Sequence, residues 1–181
     1  MRHFKIFPLA AALAVSAPAC STPAESASAA TDADALAAAL ADEYLAEATY
    51  AAVLEEFGDV RPFANIIRAE RYHAELVKAE MDRLGLEYSP DNDLIGKIEV
   101  PETLLSACET GVSAEKENIA LYDRLLPGIS DPQVRETLTL LQWASRERHL
   151  PAFERCVFRG GQPGQGAGHG RGFGGGPGRN N

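Results

Sequence analysis

The stretch Ala69-Glu70-Arg71-Tyr72-His73 places a carboxylate and an imidazole three residues apart, on one face of a predicted helix. Both side chains fall in an apolar stripe that repeats at steps of three and four residues: Phe63, Ile66, Ile67, Ala74, Val77, Met81 and Leu84. Burying an unpaired charge in such a stripe is unfavourable. The pair therefore belongs either to an ion pair in the core or to a metal site, and other helices must supply the remaining partners.

The first nineteen residues predict an export signal. A basic start over residues 1–5 precedes an apolar run over 6–16 that is too short to span a bilayer. Residues 17–20, Ala-Pro-Ala-Cys, have the small side chains that a signal peptidase recognises, and they also resemble the lipobox of bacterial lipoproteins. We expect an exported protein of the periplasm or cell envelope whose mature chain begins at Cys20. A lipid anchor in the membrane and soluble export are the two alternatives.

The rest of the chain divides into a tether, a domain and a tail. Residues 20–31 are small and polar, as in a flexible tether, whereas residues 159–181 hold 11 of the 16 glycines and are expected to be disordered. Residues 32–158 have the composition of one folded domain. All 26 acidic but only 12 of the 17 basic residues lie in 20–158, a formal charge of −14, so nucleic acid is not expected as a partner.

Periodicity and capping residues predict an all-α four-helix bundle with a long connection between helices two and three. The first helix should begin near Thr31 or Asp32, because Thr31 and Asp34 resemble a capping box, and should end at Gly58. The expected bounds of the other three helices are Pro62 to Gly85, Pro101 to Pro127, and a start in the capping box at 130–133. Extended, the connecting segment 86–100 reaches about 50 Å, enough to cross the bundle lengthwise.

Each predicted helix also carries a polar residue inside its apolar stripe. The register of an antiparallel pair places Glu43 beside His73 and Glu47 beside Glu70. Both histidines of the predicted domain belong to this inward set, which suggests a shared role. The complete set is Glu43, Glu47, Glu70, His73, Glu115 and His149.

Three neighbours of His149 are expected to lie outside the set. Glu147 is about 160° from His149 around a helix, so it should face solvent. Arg146 stands where a second carboxylate would have completed another Glu-x-x-His pair. Ser145 has no Gly-x-Ser-x-Gly context, which favours packing over the role of a nucleophile in a hydrolase.

Cys108 and Cys156 are expected to form a disulfide between helices three and four. Cys108 lies seven residues before Glu115 and Cys156 seven residues after His149, so one antiparallel register pairs both sets. Export favours oxidation, and the alternative is a pair of small buried thiols.

Four glutamates and two histidines in a bundle core suit two divalent ions, because carboxylates bridge hard cations and imidazole favours iron, zinc or manganese. Iron is the expected ion, with manganese or zinc as alternatives. The competing interpretation is a metal-free core in which arginines such as Arg68, Arg71 or Arg146 pair with the glutamates.

The sequence resembles the ferritin-like superfamily of dinuclear carboxylate proteins, and within it the bacterial family called domain of unknown function 2202. The stretches that carry the resemblance are 42–50, 63–73, 111–119 and 149–153. The resemblance implies that Glu43, Glu70, His73, Glu115 and His149 are metal ligands. Arg146 departs from the superfamily pattern, and Glu47 is the expected substitute. The family's name implies no activity.

Two functions follow as hypotheses. The first is an envelope di-metal protein that oxidises Fe(II) with O₂ or peroxide, or stores metal. The second is a metal-free helical module that binds a protein partner in the envelope. The sequence leaves open whether the protein forms a homo-oligomer.

Overall fold

The computed structural model describes residues 23–162, and side chains from residue 31 onward. Within this range the chain is an all-α bundle, as the periodicity predicts. Helices α1, α2 and α3 are followed by a helical stretch in three consecutive parts, α4, a π-helical turn and α5, which together serve as the fourth helix. The bounds are α1 Pro23–Phe57, α2 Phe63–Leu84, α3 Leu104–Leu125, a 3-10 turn Leu126–Gly128, α4 Pro132–Ala144, the π turn Ser145–His149 and α5 Leu150–Phe158.

Helix α1 begins earlier than its capping residues suggest, so the expected start near Thr31 is wrong, and residues 23–31 of the expected tether are helical. Proline is tolerated in a first helical turn, and the alanine-rich stretch that follows has high helix propensity. Asp32 instead accepts hydrogen bonds from the backbone N–H groups of Ser130 (2.8 Å) and Asp131 (3.0 Å). It therefore holds the turn before α4.

The ends of the other helices agree with the prediction to within a few residues. α2 ends at Gly85, whose φ of 67° is the left-handed conformation that glycine adopts without strain. α3 starts after a capping box between Thr103 and Ser106. α4 starts after Asp131, whose side chain accepts from two backbone N–H groups of the first turn.

The connection between α2 and α3 runs the length of the bundle. It leaves α2 beside the apolar cluster that contains Met81, and it reaches α3 beside the opposite cluster, against which Leu104 packs. Consequently α3 is parallel to α2 and antiparallel to α1. The Tyr44 hydroxyl donates to the carbonyls of Ser89 and Pro90, and Asn92 donates to the Tyr44 carbonyl, so α1 holds this segment in place.

The core consists of two apolar clusters, one toward each end of the bundle. One contains Leu36, Val77 and Leu138, and the other contains Phe63 and Phe153. The inward polar residues of all four helices lie between the two clusters along the chain. The bundle therefore has a buried polar layer in its middle.

Cys108 and Cys156 form the expected disulfide, with a Cα–Cα distance of 6.0 Å, and both residues are fully buried. Close to this bond, a Cβ on Gly111 would lie only 2.5 Å from the Phe153 ring. The absence of a side chain at Gly111 therefore allows α3 and α5 to approach each other closely.

None of the helices in the described range has the length and apolarity that a membrane span requires. The expected signal peptide, Cys20 and nearly all of the predicted glycine-rich tail lie outside residues 23–162.

Candidate metal centre

Five polar side chains from all parts of the bundle meet in the buried layer. They are Glu43 on α1, Glu70 and His73 on α2, Glu115 on α3, and His149 at the end of the π turn, and none is more than 6% exposed. They form two groups whose ligand atoms lie within 4.8 Å of one another, Glu43–Glu70–His73 and Glu70–Glu115–His149. We call these five residues the cluster.

The two groups share Glu70, and each of its carboxylate oxygens faces a different histidine. Glu70 Oε2 lies 3.1 Å from His73 Nδ1, and Glu70 Oε1 lies 3.1 Å from His149 Nδ1. The outer carboxylates complete the groups, with Glu43 Oε2 3.4 Å from His73 Nδ1 and Glu115 Oε2 3.6 Å from His149 Nδ1. The imidazole rings stack with centroids 5.6 Å apart.

Two buried tyrosines donate hydrogen bonds to the outer carboxylates, each to the glutamate on the other tyrosine's helix. The Tyr50 hydroxyl on α1 donates to Glu115 Oε1 on α3 at 2.8 Å, and the Tyr122 hydroxyl on α3 donates to Glu43 Oε1 on α1 at 2.9 Å. In each helix the tyrosine follows the glutamate by seven residues. This repeated Glu-to-Tyr spacing is the sequence signal that could have identified the role of the tyrosines.

The electrostatics of the cluster depend on its histidines. Burial alone lowers the pKa of an imidazole, but the adjacent carboxylates of Glu43 and Glu70 raise the pKa of His73 to about 9, and those of Glu115 and Glu70 raise the pKa of His149 to about 10. Without metal, both histidines are therefore cations at neutral pH.

The two carboxyl groups of the first group are shifted in opposite directions. Burial raises the pKa of Glu43 to about 8, although His73 opposes the shift. Burial also opposes ionisation of Glu70, but contacts with His149 and His73 outweigh it and lower its pKa to about 2. Glu43 therefore holds its proton more tightly than Glu70 does.

The structure does not bring Glu47 into the cluster. Its carboxylate accepts hydrogen bonds from Arg71 Nε at 2.7 Å and from Asn92 Nδ2 at 3.0 Å. The expected substitution for a missing fourth carboxylate is thus not realised. A partly exposed carboxylate is better stabilised by an arginine than by burial next to three other glutamates.

The π turn determines which residue lies beside His149. The N–H of Leu150 donates to the carbonyl of Ser145, five residues earlier, so this turn is wider than an α-helical one. Ser145 is consequently buried, whereas Arg146 faces outward, 3.4 Å from Asp123. Ser145, and not Arg146, therefore lines the interior beside Glu70 and Glu115. Glu147 is exposed, as predicted.

A cleft of about 180 Å³ between α1 and α3 leads to the cluster. Glu70, Glu115, Ser145 and Asn118 line it with buried side chains, and Asp42 lines it with a half-buried one. Asn118 Nδ2 donates to Asp42 Oδ2. The remaining lining residues are Leu45, Ala46, Thr49, Tyr50, Thr110, Ala114 and Glu117. Neither Asp42 nor Asn118 was identified from the sequence pattern.

The donor set fits divalent metal ions. Carboxylate oxygens and imidazole nitrogens are the ligands that iron, manganese and zinc prefer, and a shared carboxylate allows two ions to bind side by side. His149 Nδ1 is buried and has no hydrogen-bond partner of acceptable geometry among the described residues, although Glu70 lies close to it. An unpaired nitrogen aimed at carboxylates is what a ligand position requires.

No protein-family model matches the sequence, and no curated protein does. Among solved structures, the fold is similar to that of hypothetical protein MJ0754 from Methanococcus jannaschii DSM 2661, with a TM-score of 0.64 and 20% sequence identity. The similarity covers 82% of this chain and 89% of that chain. Identity at this level supports a common fold only.

Proposed function

We propose that this chain is an exported ferritin-like protein that binds two iron ions in its core and oxidises Fe(II) with O₂ or peroxide. The observation that carries the proposal is the division of Glu70 between two groups of ligands. An ion pair between one histidine and one glutamate would leave unexplained the second histidine and the second glutamate on the other side of Glu70.

In this proposal, Glu43, Glu70 and His73 hold one ion, and Glu70, Glu115 and His149 hold the other. When bound, a pair of Fe(II) ions supplies two electrons, the number needed to reduce one hydrogen peroxide to two waters. Tyr50 and Tyr122 orient the outer carboxylates by donating to the oxygen that does not face a histidine. Manganese or zinc would fit the same donors.

The cluster also has a chemical reason to bind metal. Several carboxylates in an apolar core repel one another and lose their hydration, and without metal they depend on two protonated histidines. Divalent cations neutralise the carboxylates directly. The histidines then become neutral ligands, so binding should release protons.

The experiment that tests the proposal is metal analysis of protein purified without chelator, combined with thermal unfolding. We expect two equivalents of iron in the wild type and a lower melting temperature after chelation. Glu70→Ala should lose both ions because Glu70 belongs to both groups, whereas Glu43→Ala should lose one.

Glu147→Ala is the matched control and should retain both ions, because Glu147 is exposed and belongs to neither group. The proposal is wrong if wild-type protein retains no stoichiometric metal and its melting temperature does not respond to added iron, manganese or zinc.

A metal-free helical module that binds an envelope partner is the alternative, and one observation favours it. The raised pKa values of both histidines show that the cluster can neutralise much of its carboxylate charge with protons. Failure of the metal experiments would therefore leave a folded bundle whose function lies on its surface.

A further inference from the structure

The cleft between α1 and α3 reaches only one side of the cluster. Its lining includes Glu70 and Glu115, together with Ser145, one turn before His149. Glu43 and His73 do not line it, and both are buried. Two other cavities, one lined by Phe158 and one by Tyr88, contact no residue of the cluster.

The lining of the cleft also carries cation-binding groups outside the cluster. Asp42 and Glu117 contribute carboxylates. The side-chain amide of Asn118, on α3, donates a hydrogen bond to Asp42 on α1. Asn118 is 7% exposed, and its Oδ1 has no hydrogen-bond partner among the described residues. A buried amide oxygen without a donor is an available ligand for a hard cation.

The cleft also reaches the π turn. Ser145, the first residue of that turn, is buried and faces the cleft. The small side chains of Ala46 and Ala114 leave the passage free.

We propose that this cleft is the entrance through which divalent cations reach the cluster, so that the Glu115–His149 position loads before the Glu43–His73 position. Asp42 and Asn118 form a transient site for the hydrated cation on its way in. This inference rests on the proposed metal-binding function and adds its route and order.

The test is stopped-flow uptake of Co²⁺ by metal-free full-length protein, followed by visible absorption. Ala46→Phe fills the cleft from α1 and should slow uptake severalfold while leaving the final stoichiometry unchanged. Ala41→Phe, on an exposed part of the same helix outside the cleft, is the matched control and should bind at the wild-type rate.

A second pair of variants probes the opposite wall, in case Ala46→Phe disturbs packing. Thr110→Phe lies on α3 in the cleft, and Ser113→Phe lies on the same helix outside it, with both positions exposed. Uptake at the wild-type rate in both cleft variants would show that the cleft is not the route by which cations enter. Absence of Co²⁺ binding in the wild type would instead overturn the proposed function.

Two further sets of variants test the role of charge in cation uptake and the order in which the two positions load. Asp42→Asn should lower the uptake rate and its salt dependence, and Glu55→Gln, an exposed change on α1 away from the cleft, should alter neither. His73→Ala should keep the rapid first phase, whereas His149→Ala should lose it. The reverse pattern for the two histidines would overturn the loading order.

Discussion

At the scale of single residues, Glu70 links the two groups of the cluster, because its two oxygens face two histidines on different helices. Ser145 is buried and lines the cleft that leads to the cluster, while Arg146, the next residue, turns to the surface. One wide helical turn thus decides which of these two residues faces the cluster.

Adding a carboxylate at Ser145 should strengthen metal binding. We expect Ser145→Asp to tighten binding of the ion held by Glu115 and His149, because the cleft has room for the larger side chain. Without metal the same change should lower the melting temperature, since it adds a buried carboxylate. Arg146→Glu is the control, and calorimetric titration should show little change because its side chain is on the surface. Equal effects of the two variants would contradict this assignment.

The stability of the metal-free protein should fall as pH rises from 6.5 to 9. The pKa values of Glu43, His73 and His149 are all raised on folding, so the folded chain binds more protons than the unfolded chain in this range. The lowered pKa of Glu70 acts in the opposite direction only at acid pH, below its ordinary value of 4.5.

Thermal unfolding across this range measures the effect, with chelator present throughout. His73→Gln is a suitable comparison, since removal of one titrating group should flatten the pH dependence. A melting temperature that rises with pH would contradict the prediction.

At the scale of helices, each element is positioned by a specific tie. The segment between α2 and α3 is held by Tyr44 and Asn92, the turn before α4 by Asp32, and α5 by the disulfide to α3. These ties matter to the site because the outer ligands come from helices that are distant in sequence.

Removing the disulfide should destabilise the bundle. It closes a loop with a sequence separation of 48, for which the chain-entropy relation gives about 4 kcal/mol. We expect Cys108→Ala/Cys156→Ala to lower the free energy of unfolding by about that amount, as measured by chemical denaturation of oxidised protein.

Reduction of the wild type should give a similar loss, and the double variant should be insensitive to reductant. Peptide mapping without reductant provides the direct check. Two free thiols in periplasmic material would contradict the bond.

At the scale of the whole molecule, an acidic helical domain follows a predicted export signal. Residues 1–22 lie outside the described range, so the envelope location remains a proposal. The helical start of α1 at Pro23 leaves few residues between Cys20 and the domain. An anchored protein would therefore hold its bundle close to the membrane.

We predict that the mature chain begins at Cys20 and carries lipid. Mass spectrometry of the N-terminal peptide from envelope material should find an acylated cysteine. Cys20→Ser should release the protein from the membrane fraction without changing its metal content. An unmodified N-terminus beyond Cys20 would contradict the prediction and favour soluble export.

Sequence patterns predicted the helices, most of their ends, the disulfide and five of the six polar residues expected to face the core. These features follow from local rules, because the helical period assigns a face to each side chain and capping residues mark the ends. The early start of α1 was missed because alanine propensity extended the helix beyond the apparent cap.

Contacts between side chains of different helices became clear only from the tertiary structure. It pairs Glu47 with Arg71. It brings the Tyr50 hydroxyl of α1 to a glutamate on α3, and the Tyr122 hydroxyl of α3 to a glutamate on α1. It also buries Ser145 and leaves Arg146 on the surface. The helical periodicity of a sequence predicts only which face of its own helix a side chain occupies. The distance to a residue on another helix depends on packing, on the parallel course of α2 and α3, and on the widened turn before His149, none of which the period encodes.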